Sequence, residues 1–230
     1  MTTVSPELVR VARALGEPSR VRMLSLLMGG RALTAKELAH GAEIDPATAT
    51  GHLRRLLESG LVDVAAQGRH RYFRLRGPEV AALLEQMMVV SASDGGDPAA
   101  PGQPIRMARF CYDHLAGRLG TALTGALVVR SLIVPEGGSF AVTAEGEAWF
   151  RELGVEVEPL RHTRRAFARA CLDWTERTDH LAGALGAALA ARMLETGWIE
   201  RVRRSRVVNV TPLGCRELKS RLDVVVADPV

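Results

Sequence analysis

Apolar positions recur at helical spacing through most of the first 90 residues, and residues that start or stop helices bound each run. Ser5-Pro6-Glu7 opens a helix with Leu8, Val11, Ala12 and Leu15 on one face, and Ser19 to Leu27 reads as a second. Thr34 and Glu37 have the spacing of a capping box, in which each side chain satisfies a free backbone N–H. After a turn through Gly41, Asp45 caps a further helix and Pro46 takes its first position, where a missing N–H costs nothing. Leu53, Leu56 and Leu57 form its apolar stripe, and Gly60 ends it. The period then changes to that of strands near 61–64 and 71–75, where Phe73 and Leu75 alternate with Tyr72 and Arg74. Ala65 to His70 reads as the polar tip between them. Pro78 starts another helix, with Val80, Leu83, Leu84 and Met87 apolar.

Helix, turn, helix and a two-stranded hairpin make a winged helix-turn-helix. The open side of the helix after Asp45 is small and hydroxylic, which suits close approach to a DNA major groove. The candidate DNA-binding residues are Ala47, Thr48, Thr50, Gly51, His52, Arg54 and Arg55 on that helix, with Gln67, Arg69, His70 and Arg71 on the wing. Arg54, Arg55, Arg69 and Arg71 are expected to meet phosphates. Four linked motifs carry a family resemblance: Leu15-Gly16-Glu17-Pro18-Ser19-Arg20-Val21-Arg22-Met23-Leu24, Glu37-Leu38-Ala39, Thr48-Ala49-Thr50-Gly51-His52-Leu53 and Glu58-Ser59-Gly60-Leu61-Val62. Over roughly residues 5–90 the chain resembles the ArsR/SmtB-like winged-helix repressors. The resemblance implies a homodimer, joined through the first and last helices of this domain, that binds double-stranded operator DNA. Many such proteins bind metals, either through Cys-x-Cys on the helix before the recognition helix or through Asp and His on the last dimer helix. Here those segments read Glu37-Leu38-Ala39-His40-Gly41 and Glu79 to Met88, and neither pattern is present.

Ser91 to Pro104 contains Ser, Asp, Gly and Pro and almost nothing apolar. The expected domains are 1–92 for DNA binding and dimerisation, 93–104 as linker, and 105–230 as a duplicated domain that senses an effector. The duplication is read from Asp113-His114-Leu115-Ala116-Gly117 against Asp179-His180-Leu181-Ala182-Gly183, and from Phe140 to Gly146 against Val208 to Gly214. Ala108 to Asp113 also resembles Ala168 to Asp173, although the second copy is longer between its cysteine and its histidine. The fold class expected is mainly α with small β wings: an N-terminal winged helix-turn-helix followed by two internal winged-helix-like repeats.

Among 230 residues, 47% are hydrophobic and only 4% aromatic, so aliphatic packing must dominate the cores. The net charge of +4 permits DNA binding without requiring it. No run approaches the ~18 apolar residues of a membrane helix, and no signal peptide opens the chain, so no membrane partner and a cytoplasmic location are expected. No phosphate loop, dinucleotide fingerprint or His-Glu-x-x-His site is present, and the chain does not read as an enzyme. The candidate effector-binding residues are Cys111, His114, Cys171, Asp173, Trp174 and His180. Cys111 and His114, three apart, would share a face if helical. Several chemistries fit this set: a soft-metal or heme site, a thiol switch, an apolar pocket lined by tryptophans, or inert packing of buried cysteines. The sequence names no cofactor. The function expected is a dimeric repressor modulated by a small-molecule or metal effector in the C-terminal domain. The alternative is a metal-, heme- or thiol-redox sensor whose DNA binding is secondary.

Overall fold

The computed structural model describes residues 4–91, 103–203 and 205–226. The linker expected over 93–104 lies, up to residue 102, outside the described residues. The chain divides into two compact units, residues 1–84 and 85–230.

In the first unit, α1 (Pro6–Leu15) and α2 (Pro18–Leu27) lead to β1 (Leu33–Thr34), α3 (Ala35–Gly41), α4 (Pro46–Glu58), β2 (Val62–Gln67) and β3 (His70–Leu75). Each helix start has a side-chain acceptor. Ser5 accepts from Leu8 N, Glu17 from Ser19 N and Arg20 N, and Asp45 from Ala47 N and Thr48 N. Thr34 and Glu37 form the complete capping box. The antiparallel sheet runs β1-β3-β2, with Val62 opposite Leu75 and Gln67 opposite His70. The hairpin therefore stays paired beyond the strand ends expected from the sequence, and only Gly68 and Arg69 form its tip. Alternation failed as a guide there because both faces of the outer hairpin are exposed. Met23, Leu24, Leu27, Leu38, Ala49, Leu53, Leu56, Phe73 and Leu75 are buried at the centre. The Arg20 guanidinium is buried with them. It donates to the carbonyls of Ala14 (2.6 Å) and Arg13 (2.9 Å), tying α2 to the end of α1. Helix α5 (Pro78–Ser91) follows, and the division between units falls within it, so Glu85 belongs to the second unit.

The second unit continues with α6 (Pro104–Met107), β4 (Arg109–Cys111), β5 (His114–Ala116), α7 (Gly117–Val129), β6 (Ile133–Glu136), β7 (Ser139–Val142) and α8 (Ala144–Glu152). Then come α9 (Val157–Arg161), β8 (Arg169–Leu172), β9 (Asp179–Ala182), α10 (Gly183–Glu195), β10 (Ile199–Arg201), β11 (Val208–Val210) and α11 (Pro212–Leu222). The order helix, hairpin, helix, hairpin, helix occurs twice. The strands form the pairs β4-β5 and β10-β11 and a four-stranded antiparallel sheet, β6-β7-β8-β9. This is an α/β region with several small antiparallel sheets, which corrects the mainly-α expectation. The hairpins beside the cysteines escaped notice because β4 and β5 are three residues each and wholly buried, so they lack polar alternation. Phe110, Leu127, Ile133, Phe150, Leu185, Met193, Ile199 and Leu218 lie in a single apolar core.

Candidate functional site

The first site is the outer face of α4. Ala47, Thr48, Thr50, Gly51, Arg54 and Arg55 are exposed, while Ala49, Leu53 and Leu56 are buried. A Cβ placed on Gly51 would meet nothing within 4 Å, so that face is open. In the free chain the Thr48 hydroxyl donates to Asp45 and the Thr50 hydroxyl to the Pro46 carbonyl (2.8 Å). Arg54 reaches Glu58 at 3.6 Å across one helical turn. His52 stands apart from these residues. Its ring points inward, with Nδ1 3.3 Å from Arg20 and Nε2 3.5 Å from the Glu17 carboxylate. On the wing, Gln67, Arg69, His70 and Arg71 are all exposed; Arg69 Nε donates toward His70 Nε2 at 3.4 Å, and the Arg71 guanidinium lies 5.8 Å from the Phe73 ring centroid.

The second site is buried in the second unit. Cys111 and His114 face each other across β4 and β5, and Cys171 and His180 across β8 and β9. The donor atoms of all four lie within 4.8 Å of one another, and all four side chains are buried. The two imidazoles are stacked, with ring centroids 5.1 Å apart. Ala116 and Ala182 pack beside the two sulfurs as small neighbours. The expectation that Cys111 and His114 share a helical face is therefore corrected. They meet as cross-strand partners, a relation that spacing alone does not distinguish from a helical one. Arg109 and Cys111 lie two apart on the same strand.

Two glycines make this approach possible. A Cβ on Gly120 would sit 2.4 Å from the Leu115 carbonyl oxygen and 3.7 Å from His180 Cβ. A Cβ on Gly186 would sit 2.4 Å from the Leu181 oxygen and 3.3 Å from His114 Cβ. Gly120 thus makes room for the Leu115 carbonyl against α7, and Gly186 for the Leu181 carbonyl and His114 against α10.

A carboxylate bonds one imidazole and another stands near the second. His114 Nδ1 is 3.4 Å from Asp113 Oδ1, and Asp113 is gripped by Arg165 at 2.6 Å. Burial opposes ionisation of Asp113, but His114 and Arg165 hold its carboxyl below the usual value. His180 Nδ1 is 3.9 Å from Asp173 Oδ2. Asp173 is a buried hub that accepts from Gly117 N (2.6 Å), Arg109 Nη2 (2.9 Å), Thr175 N (2.8 Å) and Glu176 N (3.0 Å). Burial opposes its charge too, yet Arg109, the Thr175 hydroxyl and these N–H groups push its carboxyl far below the ordinary carboxylate range. The fully buried Arg109 also stacks over Trp174 at 5.1 Å and lies 3.8 Å from Glu85, which accepts from Arg206 at 2.7 Å.

Within the cluster, a hydrogen bond from Cys111, with help from His114 and His180, holds the Cys171 thiol down against the opposing effect of burial. The same bond and burial push Cys111 well up. His114 Nε2 and both nitrogens of His180 have no hydrogen-bond partner. The sequence marks Cys111, His114, Cys171, His180 and Asp173 but not the Arg109–Glu85–Arg206 network, whose members are far apart in the chain. Trp174 and Trp198 are buried, and Trp149 packs edge-to-face on Phe150, so the tryptophans fill the core rather than line a gathered pocket.

A winged helix-turn-helix with an open recognition face defines the DNA-binding class of this chain. A family model described as a helix-turn-helix domain matches residues 15–65. The chain is 40% identical over 224 residues to an uncharacterized HTH-type transcriptional regulator, YdfF, of Bacillus subtilis (strain 168), across 96% of this chain and 99% of that protein. It is 33% identical over 106 residues to the HTH-type transcriptional regulator CmtR of Mycobacterium tuberculosis, across 44% of this chain and 89% of that protein. Among solved structures it is similar to the homodimeric winged helix-turn-helix DNA-binding domain of a possible ArsR-family regulator from Mycobacterium bovis. That match has 27% identity and a TM-score of 0.37, and covers 42% of this chain and 94% of that one. The chain belongs to the HTH-type transcriptional regulators, with a further region beyond the helix-turn-helix domain. Among the described residues no helix is long and apolar enough to cross a membrane.

Proposed function

We propose that this regulator is a homodimeric repressor that places α4 of each copy in adjacent major grooves about one helical turn (~34 Å) apart. The observation that carries the reading is the outer face of α4, where Ala47, Thr48, Thr50 and Gly51 are exposed beside Arg54 and Arg55. Arg69 and Arg71 of the wing add phosphate contacts, while His52 orients α4 through Glu17 and Arg20. Dimerisation is supported by large apolar side chains left exposed in the single chain: Leu8 on α1 and Leu83 and Met87 on α5. We read the C-terminal region as two copies of one winged-helix-like repeat that together hold the effector site, at Cys111, His114, Cys171 and His180 with Asp173 and Trp174 behind them. The support is the twice-repeated element order and the reciprocal Gly120 and Gly186 contacts.

The test is fluorescence anisotropy of the full chain on operator fragments recovered from genomic DNA, with light scattering for the oligomeric state. Thr50→Glu places a carboxylate on the groove face and should reduce affinity by at least about tenfold through like-charge repulsion with phosphate. Undiminished binding by this variant would remove α4 as the reading element. A monomer at micromolar concentration would remove the dimer.

A further inference from the structure

Cys111, His114, Cys171 and His180 are a metal-ligand set by donor type, number and convergence. Four donors already lie within 4.8 Å of one another before any ion draws them together. In a tetrahedral site with sulfur at 2.3 Å and nitrogen near 2.0 Å from the ion, donors stand about 3.3–3.8 Å apart. Only a small inward movement separates the two arrangements. Three buried imidazole nitrogens without a hydrogen-bond partner are an independent sign, because buried polar groups are ordinarily satisfied. Asp113 bonds Nδ1 of His114 and leaves its Nε2 to the cluster, while Asp173 stands 3.9 Å from Nδ1 of His180, beyond hydrogen-bond range. Carboxylates behind ligating histidines are the usual outer shell of a metal site, setting the tautomer and ring orientation.

We propose that Cys111, His114, Cys171 and His180 form a closed four-ligand site for one thiophilic divalent transition-metal ion of tetrahedral preference, zinc-like in its chemistry. The assignment deepens the effector reading above and rests on it for its regulatory role. Two thiolates and one dication sum to zero, so the filled site suits a buried position as an unpaired thiolate does not. Binding draws both sulfurs as thiolates and expels the remaining thiol protons to solvent. No fifth position is left for water or substrate, which makes the site structural or sensory rather than catalytic. A porphyrin is wider than this cluster, whose four donors lie within 4.8 Å of one another. Each hairpin gives one cysteine and one histidine, so the ion joins β4-β5 to β8-β9. Behind it, Asp173, Arg109 and Glu85 form a continuous chain of charge contacts ending on α5.

The experiment uses the full chain, stripped of metal under reducing conditions and titrated with Co(II) as the optical probe, followed by Zn(II) competition. The expected result is saturation at one Co(II) per chain, with intense tetrahedral visible bands and a thiolate-to-cobalt band in the near ultraviolet that Zn(II) abolishes. Cys111→Ser and Cys171→Ser should each remove about half of the thiolate band, whereas Cys215→Ser should leave it intact. A pale octahedral spectrum from the wild-type chain, or no stoichiometric binding, overturns the proposal without reliance on any variant. So does a mass lower by two hydrogens in the oxidised protein together with absent Co(II) binding, which would assign a Cys111–Cys171 disulfide switch instead. Operator affinity measured with and without Zn(II) separates the two readings. A stoichiometric tetrahedral spectrum with unchanged DNA affinity keeps the metal site and removes its role as effector site.

Discussion

The face of α4 and the cluster between the two hairpins hold polar groups under opposite conditions. On α4, water satisfies whatever the local caps do not, and Thr48, Thr50, Arg54 and Arg55 remain free to exchange solvent for DNA. In the cluster burial keeps bulk solvent away, so every nitrogen and sulfur calls for a partner at close range. The same absence of a partner therefore means different things in the two places. An exposed arginine without an ion pair is ordinary. A buried histidine with neither nitrogen bonded, as at His180, is a demand on the structure. The contrast also divides the energetics. Substitutions on α4 and the wing should alter binding and leave stability nearly unchanged, whereas substitutions around the cluster should alter stability first.

The largest effect is expected at Arg109. Replacing it with Met leaves the buried Asp173 carboxylate without its guanidinium partner, while Glu85 keeps Arg206, and breaking a buried ion pair in this way costs about 3–5 kcal/mol. Trp149, Trp174 and Trp198 all lie in the second unit, so urea denaturation followed by tryptophan fluorescence reports on that unit alone. A midpoint unchanged from wild type would show that the network does not hold the second unit together. Gly186→Ala should follow, at about 1–3 kcal/mol, because its methyl group must displace the Leu181 carbonyl. It should also loosen the cluster by moving His114. Gly51→Ala, on the open face of α4, is the control and should raise stability by about 0.5–1 kcal/mol, because alanine is the better helix former and the added methyl meets nothing.

These sites differed in legibility for the same physical reason that they differ in energetics. The helix-turn-helix could be read because each of its determinants is local: Asp45 with Pro46, Thr34 with Glu37, and the Leu53/Leu56 stripe. The second site is assembled from four strands. Neither Cys111 nor Cys171 carries a local sign of its partner, and only the repeated Asp-His-Leu-Ala-Gly segments pointed to the region. Three-residue buried strands give no alternation to detect, so nothing in the sequence marks β4 and β5 as strands. Arg109, Glu85 and Arg206 were invisible as a network because charge pairing across such sequence separations leaves no pattern in one chain. His52 was legible as part of α4 but not in its inward orientation, which depends on Glu17 and Arg20 from another helix.

A smaller effect is expected on the wing. Arg69 and Arg71 are exposed and held only by a weak contact to His70 and by the Phe73 ring, so their removal should not unfold the unit. If each meets a phosphate, Arg69→Ala and Arg71→Ala should weaken binding to all sequences alike. The salt slope should then fall by about 0.9 for each lost contact. An unchanged slope would place the wing off the DNA.

The smallest effect is pH-dependent and lies at the start of α2. Burial would raise the Glu17 carboxyl, but the N–H groups of Arg20 and Ser19, together with His52, hold it below its ordinary 4.5. The ionisable groups facing it are Arg20 at 3.8 Å and His52 at 3.5 Å. A depressed carboxyl contributes stability that is complete above its unfolded value and is lost as pH falls through the folded one. Glu17→Gln should therefore lower protection of the α2 amides at neutral pH, and the difference from wild type should shrink as pH drops below about 4.5. Hydrogen exchange of the peptide covering 18–27, corrected for intrinsic rates, measures this directly. Because Glu17 is partly solvent-exposed, the effect should be smaller than that of any buried charge in the second unit. A difference that stays constant from neutral pH into the acid range would assign the role of Glu17 to shape and hydrogen bonding that the amide reproduces, not to its charge.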